Sequence, residues 1–403
     1  MAKIKITGIK GMNDMLPEEA GIWEKFEDTA RCVAASYGYR QIRTPILEAT
    51  GLFSRGVGEA TDIVEKEMYS FTDSMNGEQL TLRPECTSAV CRCAIEHNIT
   101  YNAPQRLWYF GPMFRHERPQ RGRYRQFYQF GCEALGFGGP DVDIELLSLT
   151  ARLWKNLGIK ASLQLNSLGA TEERARHREA LVAYLKDNYD VLDEDARRRL
   201  ETNPLRILDT KTPDMQAMVE APPRLLDFLG EAPRRFLGSL EAGVQALGID
   251  YTINPRLVRG LDYYNHTVFE WVTDQLGSQG TICGGGRYDP LIEMLGGRAT
   301  PAAGFAIGAE RVIELVRAAG GDKPVAACDI YVAHQGGHTE LVARQIGEQL
   351  RDAGHRVIVH AGSTSFKSSM KRADQSLAQW AVICGENEVN AGQVAIKRLG
   401  GAL

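Results

Sequence analysis

The 403-residue sequence predicts an α+β domain built on a mostly antiparallel sheet and interrupted by a helical insertion, with a smaller α/β domain behind it. Three observations predict this. Strand-like segments before residue 170 and after residue 249 flank a stretch of helical spacing rich in Arg, Glu, Asp, Ala and Leu. Strand signals resume after that stretch, so it reads as a helical module inserted into one antiparallel-sheet domain. From Asp329 onward, β and α patterns alternate, which is the signature of a parallel sheet with crossover helices.

The elements follow in order. Ile22, Phe26, Ala30, Val33, Ala34 and Tyr37 recur at helical spacing and stop at Gly38, so Ile22–Tyr37 reads as a helix. Arg43-Thr-Pro-Ile-Leu-Glu48 reads as an extended strand, with Pro45 confining it to a sheet edge or an interface. Leu80–Arg83 and Arg106–Phe110 read as strands, Thr87–His97 as a helix opened by Pro84-Glu85, and Phe127–Leu135 as a returning strand. Ala180–Leu185 and Phe236–Leu247 carry helical spacing within the insertion. Strand signals resume at Tyr251–Ile253, Thr267–Val272 and Gly280–Cys283; Glu310–Ala319 is a closing helix and Gly320–Pro324 a linker. In the tail, Ile330–Ala333, Arg356–His360 and Trp380–Cys384 are strands, while Glu340–Ala353 and Ser365–Ala373 are helices. The domain boundaries expected from this reading are 1–325, with 170–249 as the insertion, and 326–403.

Composition narrows the function classes. Hydrophobic content of 43% and charged content of 24% are ordinary for a globular protein, and a net charge of −4 argues against a general nucleic-acid coat. No apolar run approaches the roughly eighteen residues of a membrane span, and the first residues, Met-Ala-Lys-Ile-Lys-Ile, lack a signal-peptide core. The eight cysteines form no CxxC pair, which fits reduced core residues in a cytoplasmic protein. His334-Gln-Gly-Gly-His338 has metal-ligand spacing, but its glycines favour a turn, and a turn does not put both rings on one helix face. A metalloenzyme built on His and Cys ligands is not expected.

The chemistry concentrates in two arginine-centred segments. Five arginines lie between Arg115 and Arg125 around one Gly and one Pro, a pattern suited to a hairpin that grips phosphates. Guanidinium forks pair bidentately with phosphate oxygens and keep their charge at any working pH. Arg259, from a distant strand, could approach the same α-phosphate as Arg115 from the other side. Arg311, at the start of a helix, has the helix dipole to add to its attraction for a terminal phosphate. Glu85 and Thr87 open a helix, while Gln129, Glu133 and Phe127 share one strand face and Cys132 the other. Buried carboxylates of this kind suit an ammonium group or a ring N–H. Glu133 reads equally well as a salt-bridge partner of Arg123 or Arg125. Of Tyr263 and Tyr264, one is expected in the core and the other at a ligand. Gly284–Gly286, beside Arg287 and Tyr288, lets backbone approach a ligand closely.

At these residues the sequence resembles the class II aminoacyl-tRNA synthetases, specifically the histidyl-tRNA synthetases. Arg43–Glu48 looks like the dimer-forming first motif of that class, Phe114-Arg-His-Glu-Arg-Pro is similar to the second, and Gly304-Phe-Ala-Ile-Gly-Ala-Glu-Arg311 resembles the third. Arg259-Gly-Leu-Asp-Tyr-Tyr264 and Gly285-Gly-Arg-Tyr-Asp289 look like the two histidyl signatures, and Thr81-Leu-Arg-Pro-Glu-Cys-Thr87 like the amino-acid-binding segment. The resemblance implies a homodimer that joins L-histidine to tRNA(His) at the expense of ATP with Mg²⁺. It implies that Glu85, Thr87 and Gln129 hold the ammonium of histidine, that Glu133 and Tyr264 bond its imidazole, and that Tyr288 belongs to the same pocket. Arg115 and Arg259 would flank the α-phosphate, Glu117 and Arg123 would place ATP, and Arg311 would meet its γ-phosphate. Arg118, Gln120 and Arg121 would touch the tRNA acceptor end, the insertion would clamp the acceptor stem, and the tail would bind the anticodon. Lys367, Lys371 and Arg372 read equally as an RNA-facing cluster or a solvated helix face.

Cys86 and Ala309 depart from the family pattern without removing a charge. The tail stops at Gly400-Gly-Ala-Leu403, where the family pattern continues into a further strand or helix, so a C-terminally short anticodon domain is expected. The alternatives are the non-catalytic synthetase-like regulatory subunit of ATP phosphoribosyltransferase and a pure RNA-binding module. The first generally lacks the tail domain and parts of the ATP machinery; the second needs no amino-acid pocket.

Overall fold

The structure is a computed structural model that describes residues 6–58, 61, 63–210, 212–259, 261, 263–277, 280–321, 326–362 and 365–400. The chain divides into a larger unit containing Ile22–Ala319 and a smaller one from Gly320 onward, with Leu16–Gly21 grouped with the smaller.

Helix α1 (Pro17–Ser36), which belongs to the larger unit from Ile22 on, is followed there by β1 (Arg40–Gln41), β2 (Leu47–Ala49), α2 (Thr50–Val57), β3 (Tyr69–Thr72), β4 (Gln79–Leu82) and α3 (Thr87–Glu96). The hairpin β5 (Gln105–Phe114) and β6 (Gln126–Leu135) leads into α4 (Pro140–Leu157) and β7 (Ser162–Ser167). The helical stretch comprises α5 (Thr171–Asp187), α6 (Glu194–Thr202), α7 (Gln216–Glu220) and α8 (Glu231–Ala246). Then come β8 (Tyr251–Ile253), β9 (Asn265–Val272), β10 (Thr281–Arg287), α9 (Leu291–Met294), β11 (Ala302–Gly308) and α10 (Ala309–Ala318).

Eight strands form one sheet in the order β1-β5-β6-β11-β10-β9-β7-β8, antiparallel except for the edge pairs β1–β5 and β7–β8. Alternation along β6 decides what each face does. Phe130, Cys132 and Ala134 point into a core closed by α1, α4, α8 and α10, through Phe26, Leu146, Leu240 and Val312 among others. Leu135 joins the opposite core with Tyr109 and Tyr288, and on that same face lie Phe127, Gln129 and Glu133. One face is therefore hydrophobic scaffold, and the other carries the polar residues.

The segment Arg43–Glu48 is shorter as a strand than its composition predicts. Only Leu47–Ala49 pairs, antiparallel to β4, in a separate three-stranded sheet of order β2-β4-β3. Pro45 has no N–H to donate, and the Thr44 and Pro45 carbonyls accept from Arg83 Nη1 instead (3.1 and 3.4 Å). The predicted strand Gly280–Cys283 runs on to Arg287, so the three glycines lie inside a central strand rather than in a loop. Helices α5 to α7 enclose their own core around Leu181, Leu185, Leu200 and Met215, whereas α8 returns to the main core with Leu240 and Val244. Helix α4 and strands β3 and β7 are elements that the sequence patterns did not single out.

In the smaller unit β12 (Ile330–His334), α11 (His338–Asp352), β13 (Val357–Val359), α12 (Phe366–Gln375), β14 (Trp380–Cys384), α13 (Glu386–Asn390) and β15 (Ala395–Arg398) follow one another. Strands β13, β12 and β14 are parallel, and β15 closes the edge antiparallel to β14. Gly336 and Gly337 take positive φ (92° and 57°), and His334 meets the His360 carbonyl at 2.9 Å, so the HxxxH segment is a turn into α11. Of the predicted linker, residues 322–324 lie outside the described residues, as do Gly260 and Asp262 of the second arginine segment. Among the described residues no helix is long and apolar enough to cross a membrane.

Candidate active site

The polar face of the sheet holds a cavity of about 290 Å³. Its lining includes Arg115, Glu117, Arg123, Phe127, Gln129, Arg259 and Arg311, so residues more than a hundred positions apart converge as the sequence predicts. Arg115 directly follows β5; its Nε donates to the Pro84 carbonyl (2.9 Å) and its guanidinium lies over the Phe127 ring at 5.1 Å. Arg259 is ion-paired with Glu270 and lies over the Tyr264 ring at 5.6 Å. Arg311, in the first turn of α10, donates to the Gly122 carbonyl (3.1 Å) at the tip of the hairpin turn. Arg123 is ion-paired with Glu117 and lies 3.8 Å from Glu67.

Electrostatics mark this cavity as an anion site. Burial holds both Arg115 and Arg311 below the ordinary guanidinium value; for Arg311 repulsion from Arg123 and Arg115 comes next, whereas for Arg115 the neighbouring Glu67 and Glu85 oppose the shift and Arg259 adds a smaller repulsion. Burial also opposes the charge on Arg259, but Glu270 together with Tyr264 and Tyr263 outweighs it and the pKa is raised. Guanidiniums crowded this closely remain charged and repel one another. A bound polyphosphate relieves that repulsion.

Beside the arginines the same face carries a cluster of buried polar residues. Glu133 is 0% exposed and accepts from Thr87 Oγ1 at 2.7 Å and from the Tyr288 hydroxyl. Neither Arg123 nor Arg125 reaches it: Arg123 goes to Glu117, and Arg125 Nε donates to the Glu117 carbonyl at 3.1 Å. The salt-bridge reading of Glu133 is thereby replaced by a neutral hydroxyl cage. Burial pushes the Glu133 carboxyl up to about 8 despite both hydroxyl donors. Glu85, also buried, accepts from the Ser88 N–H at the start of α3 (3.1 Å), and burial raises its pKa as well. The Gln129 side-chain carbonyl is buried with no hydrogen-bond partner among the described residues, an acceptor held ready for a ligand donor.

Both Tyr263 and Tyr264 are buried, with ring centroids 4.7 Å apart, and the Arg259 guanidinium lies over the Tyr264 ring. Tyr288 meets both edge-on, at 5.5 and 6.2 Å, which gives the cluster an aromatic wall.

Two glycines are required by these charged groups. A Cβ on Gly284 would overlap the Arg259 guanidinium, and one on Gly304 would overlap the Glu133 carboxylate. Gly284 does line the cavity, but its missing side chain makes room for Arg259 before any ligand.

Three acidic residues were not singled out as site residues from the sequence. Glu270 pairs Arg259 and accepts from Thr281 Oγ1 (2.9 Å); a charge inside the apolar strand Thr267–Val272 was the available signal. Glu310 lines the cavity, accepts from the Tyr128 N–H (2.9 Å) and is pushed up to about 7 by burial. Glu67 lies in a short helical turn with no distinguishing pattern.

Of the residues expected at tRNA, Arg118, Gln120 and Arg121 are exposed on the turn between β5 and β6. Arg121 bonds Glu314 of α10 at 2.7 Å. In the smaller unit Lys367, Lys371 and Arg372 lie on α12, with both lysines lining one shallow depression.

A mostly antiparallel sheet whose polar face gathers Arg115, Arg259 and Arg311 around one cavity is similar to the catalytic fold of the class II aminoacyl-tRNA synthetases. Residues 11–312 match the histidyl-tRNA synthetase family and residues 329–402 match the anticodon binding domain family. The chain is 60% identical over 399 residues to the histidine–tRNA ligase of Cupriavidus pinatubonensis, covering 98% of this chain and 88% of that protein. With the histidine–tRNA ligase of Bordetella avium it shares 58% identity over 396 residues, covering 98% and 92%. The crystal structure of apo Staphylococcus aureus histidyl-tRNA synthetase superposes with a TM-score of 0.82 at 33% identity, over 99% of this chain and 97% of that one. This chain belongs to the histidyl-tRNA synthetase family.

Proposed function

We propose that the chain is a histidine–tRNA ligase: it activates L-histidine with ATP to histidyl-adenylate, then transfers the histidyl group to the 3′ end of tRNA(His). The observation that carries this reading is an arginine-lined cavity on the same sheet face as the buried Glu133 carboxyl and its hydroxyl donors. A histidine carboxylate attacking the α-phosphorus in line builds charge on the non-bridging oxygens as pyrophosphate leaves. Arg115 and Arg259 stabilise that charge without reorganising, which is the main source of rate in phosphoryl chemistry. Arg123 and Glu117 place the nucleotide, and Arg311 meets the γ-phosphate. Glu85, Thr87 and Gln129 take the ammonium group, while Glu133, Tyr264 and Tyr288 surround the imidazole.

Mg²⁺ enters this reading with ATP. Among the described residues no cluster of three His, Cys, Asp or Glu side chains could form a protein cage, but Mg²⁺ on phosphates needs only one or two carboxylates, and Glu117 and Glu310 line the cavity.

Residues 1–325 serve as the catalytic domain, with 170–249 as an insertion against the acceptor stem, and 326–403 as the anticodon-binding domain. Arg118, Gln120 and Arg121 touch the acceptor end, and Lys367, Lys371 and Arg372 the anticodon arm. The protein works in the cytoplasm as a homodimer joined around Thr44–Leu47; Ile46 and Leu47 there are exposed, and β2 is a sheet edge.

The experiment is charging of a tRNA(His) transcript with labelled histidine. Charging supports the ligase. Its absence, with no adenylate formed either, would favour the regulatory reading.

A further inference from the structure

The backbone that carries Arg259, Tyr263 and Tyr264 is tied on both flanks to the helical stretch between β7 and β8. Before it, Arg256 donates to the Leu208 carbonyl at 3.3 Å, while Asn166 Nδ2 of β7 donates to the Leu257 carbonyl at 3.0 Å. After it, the His266 N–H donates to the Gly169 carbonyl (2.9 Å), and the His266 ring stacks on Phe236 of α8 (5.2 Å, 21°). His266 has a positive φ of 43°, unusual for a residue with a side chain, so these contacts hold a conformation the chain would otherwise leave.

At the centre of these ties Arg174, in the first turn of α5, donates from Nη1 to the Tyr264 carbonyl at 2.7 Å. The next residue, Asn265, is fixed from the other side. Its side chain exchanges two hydrogen bonds with Asp289, which follows Tyr288 (3.0 and 3.1 Å). The Tyr264 peptide is thus clamped between a charged donor from the insertion and the strand end that carries Tyr288. A charge-assisted bond to a carbonyl is stronger than a neutral one and sets the direction of the adjoining Cα–Cβ bond.

We infer that Arg174 is a positioning residue for histidine recognition: it locks the Tyr264 peptide so that the Tyr264 ring meets the pocket above Glu133, and it makes α5 the strut through which the insertion holds the amino-acid site. The inference rests on the assignment of Tyr264 to the histidine pocket. Arg174 is half-buried, does not line the arginine cavity, and would escape any search limited to lining residues.

The test is a double-mutant cycle on histidine-dependent ATP–pyrophosphate exchange, with Arg174→Ala, Tyr264→Phe and the pair, and thermal melts to verify folding. Losing a charged donor that acts through Tyr264 should raise the histidine KM about tenfold and leave the ATP KM within about twofold. Arg174→Lys, which keeps a charged donor, should recover part of the loss. In the Tyr264→Phe background, Arg174→Ala should add less than about twofold, because residues acting through one contact are not additive. If the two KM values rise together, or the effects of Arg174→Ala and Tyr264→Phe simply multiply, Arg174 is a structural brace and the inference fails. If Tyr264→Phe itself leaves the histidine KM unchanged, the assignment of Tyr264 is what fails. If Tyr264→Phe raises it and Arg174→Ala does not, only the role of Arg174 is lost.

Discussion

Glu133→Gln should change stability in a direction that depends on pH. The carboxyl is fully buried, and burial raises its pKa from the ordinary 4.5 to about 8. Between those values the native protein keeps a proton that the unfolded chain has released. The unfolded state then binds fewer protons, so this group's stabilising contribution, intact below 4.5, is lost as pH rises toward 8. At about 1.4 kcal/mol per unit, the loss accumulates to on the order of 5 kcal/mol. Glutamine does not titrate, but it offers one acceptor to two hydroxyl donors, a pH-independent cost of about 1–3 kcal/mol. The variant should therefore be less stable than the parent near pH 5 and more stable near pH 8. Urea unfolding of both proteins at a series of pH values measures the difference, in which titrations elsewhere cancel. A difference that stays flat from pH 5 to pH 8 would show that Glu133 is not held neutral, and the hydroxyl-cage account of the pocket would be wrong.

Other expectations follow from the same geometry. Arg259→Ala should lower kcat for adenylate formation by about 10²–10³ with smaller changes in KM, and Arg259→Lys should fail to rescue because an ammonium lacks the planar fork; loss of tRNA affinity alone in single-turnover assays would make Arg259 an RNA contact instead. Gly284→Ala should mimic much of that loss by displacing the guanidinium, with the fold retained by circular dichroism; normal turnover would mean that Arg259 has room to spare. Light scattering should give a dimer mass that Ile46→Asp reduces to a monomer; a fully active monomeric parent protein would contradict the interface proposed at Thr44–Leu47.

Much of the site was legible because its chemistry is written in short segments. Alternation along Gln126–Leu135 was enough to put Gln129 and Glu133 on one face and Cys132 on the other, and the spacing of Arg115, Arg259 and Arg311 marked an anion site before any fold was known. What escaped depends on partners distant in sequence. Whether Glu133 meets an arginine or two hydroxyls is decided by Thr87 and Tyr288, which come from different elements. Gly284 reads as ligand-facing, and Gly304 only as part of a motif, until the side chains they accommodate are in place. Arg43–Glu48 has the composition of a strand, yet tertiary contacts override it: Arg83 claims the Thr44 and Pro45 carbonyls, and pairing starts only at Leu47. Strand β7 (Ser162–Ser167) alternates Leu with polar residues, a strand signal only six residues long, and its buried Asn166 finds its partner in the Leu257 carbonyl, far along the chain.

The central claim is that the buried polar residues around Glu133 select histidine and the arginines activate it. ATP–pyrophosphate exchange with each of the twenty amino acids tests both halves at once. The account predicts exchange with histidine and at least about 10⁴-fold weaker exchange with amino acids that cannot offer an imidazole N–H to Glu133. Exchange with none of the twenty, or preferential exchange with another amino acid, would contradict it.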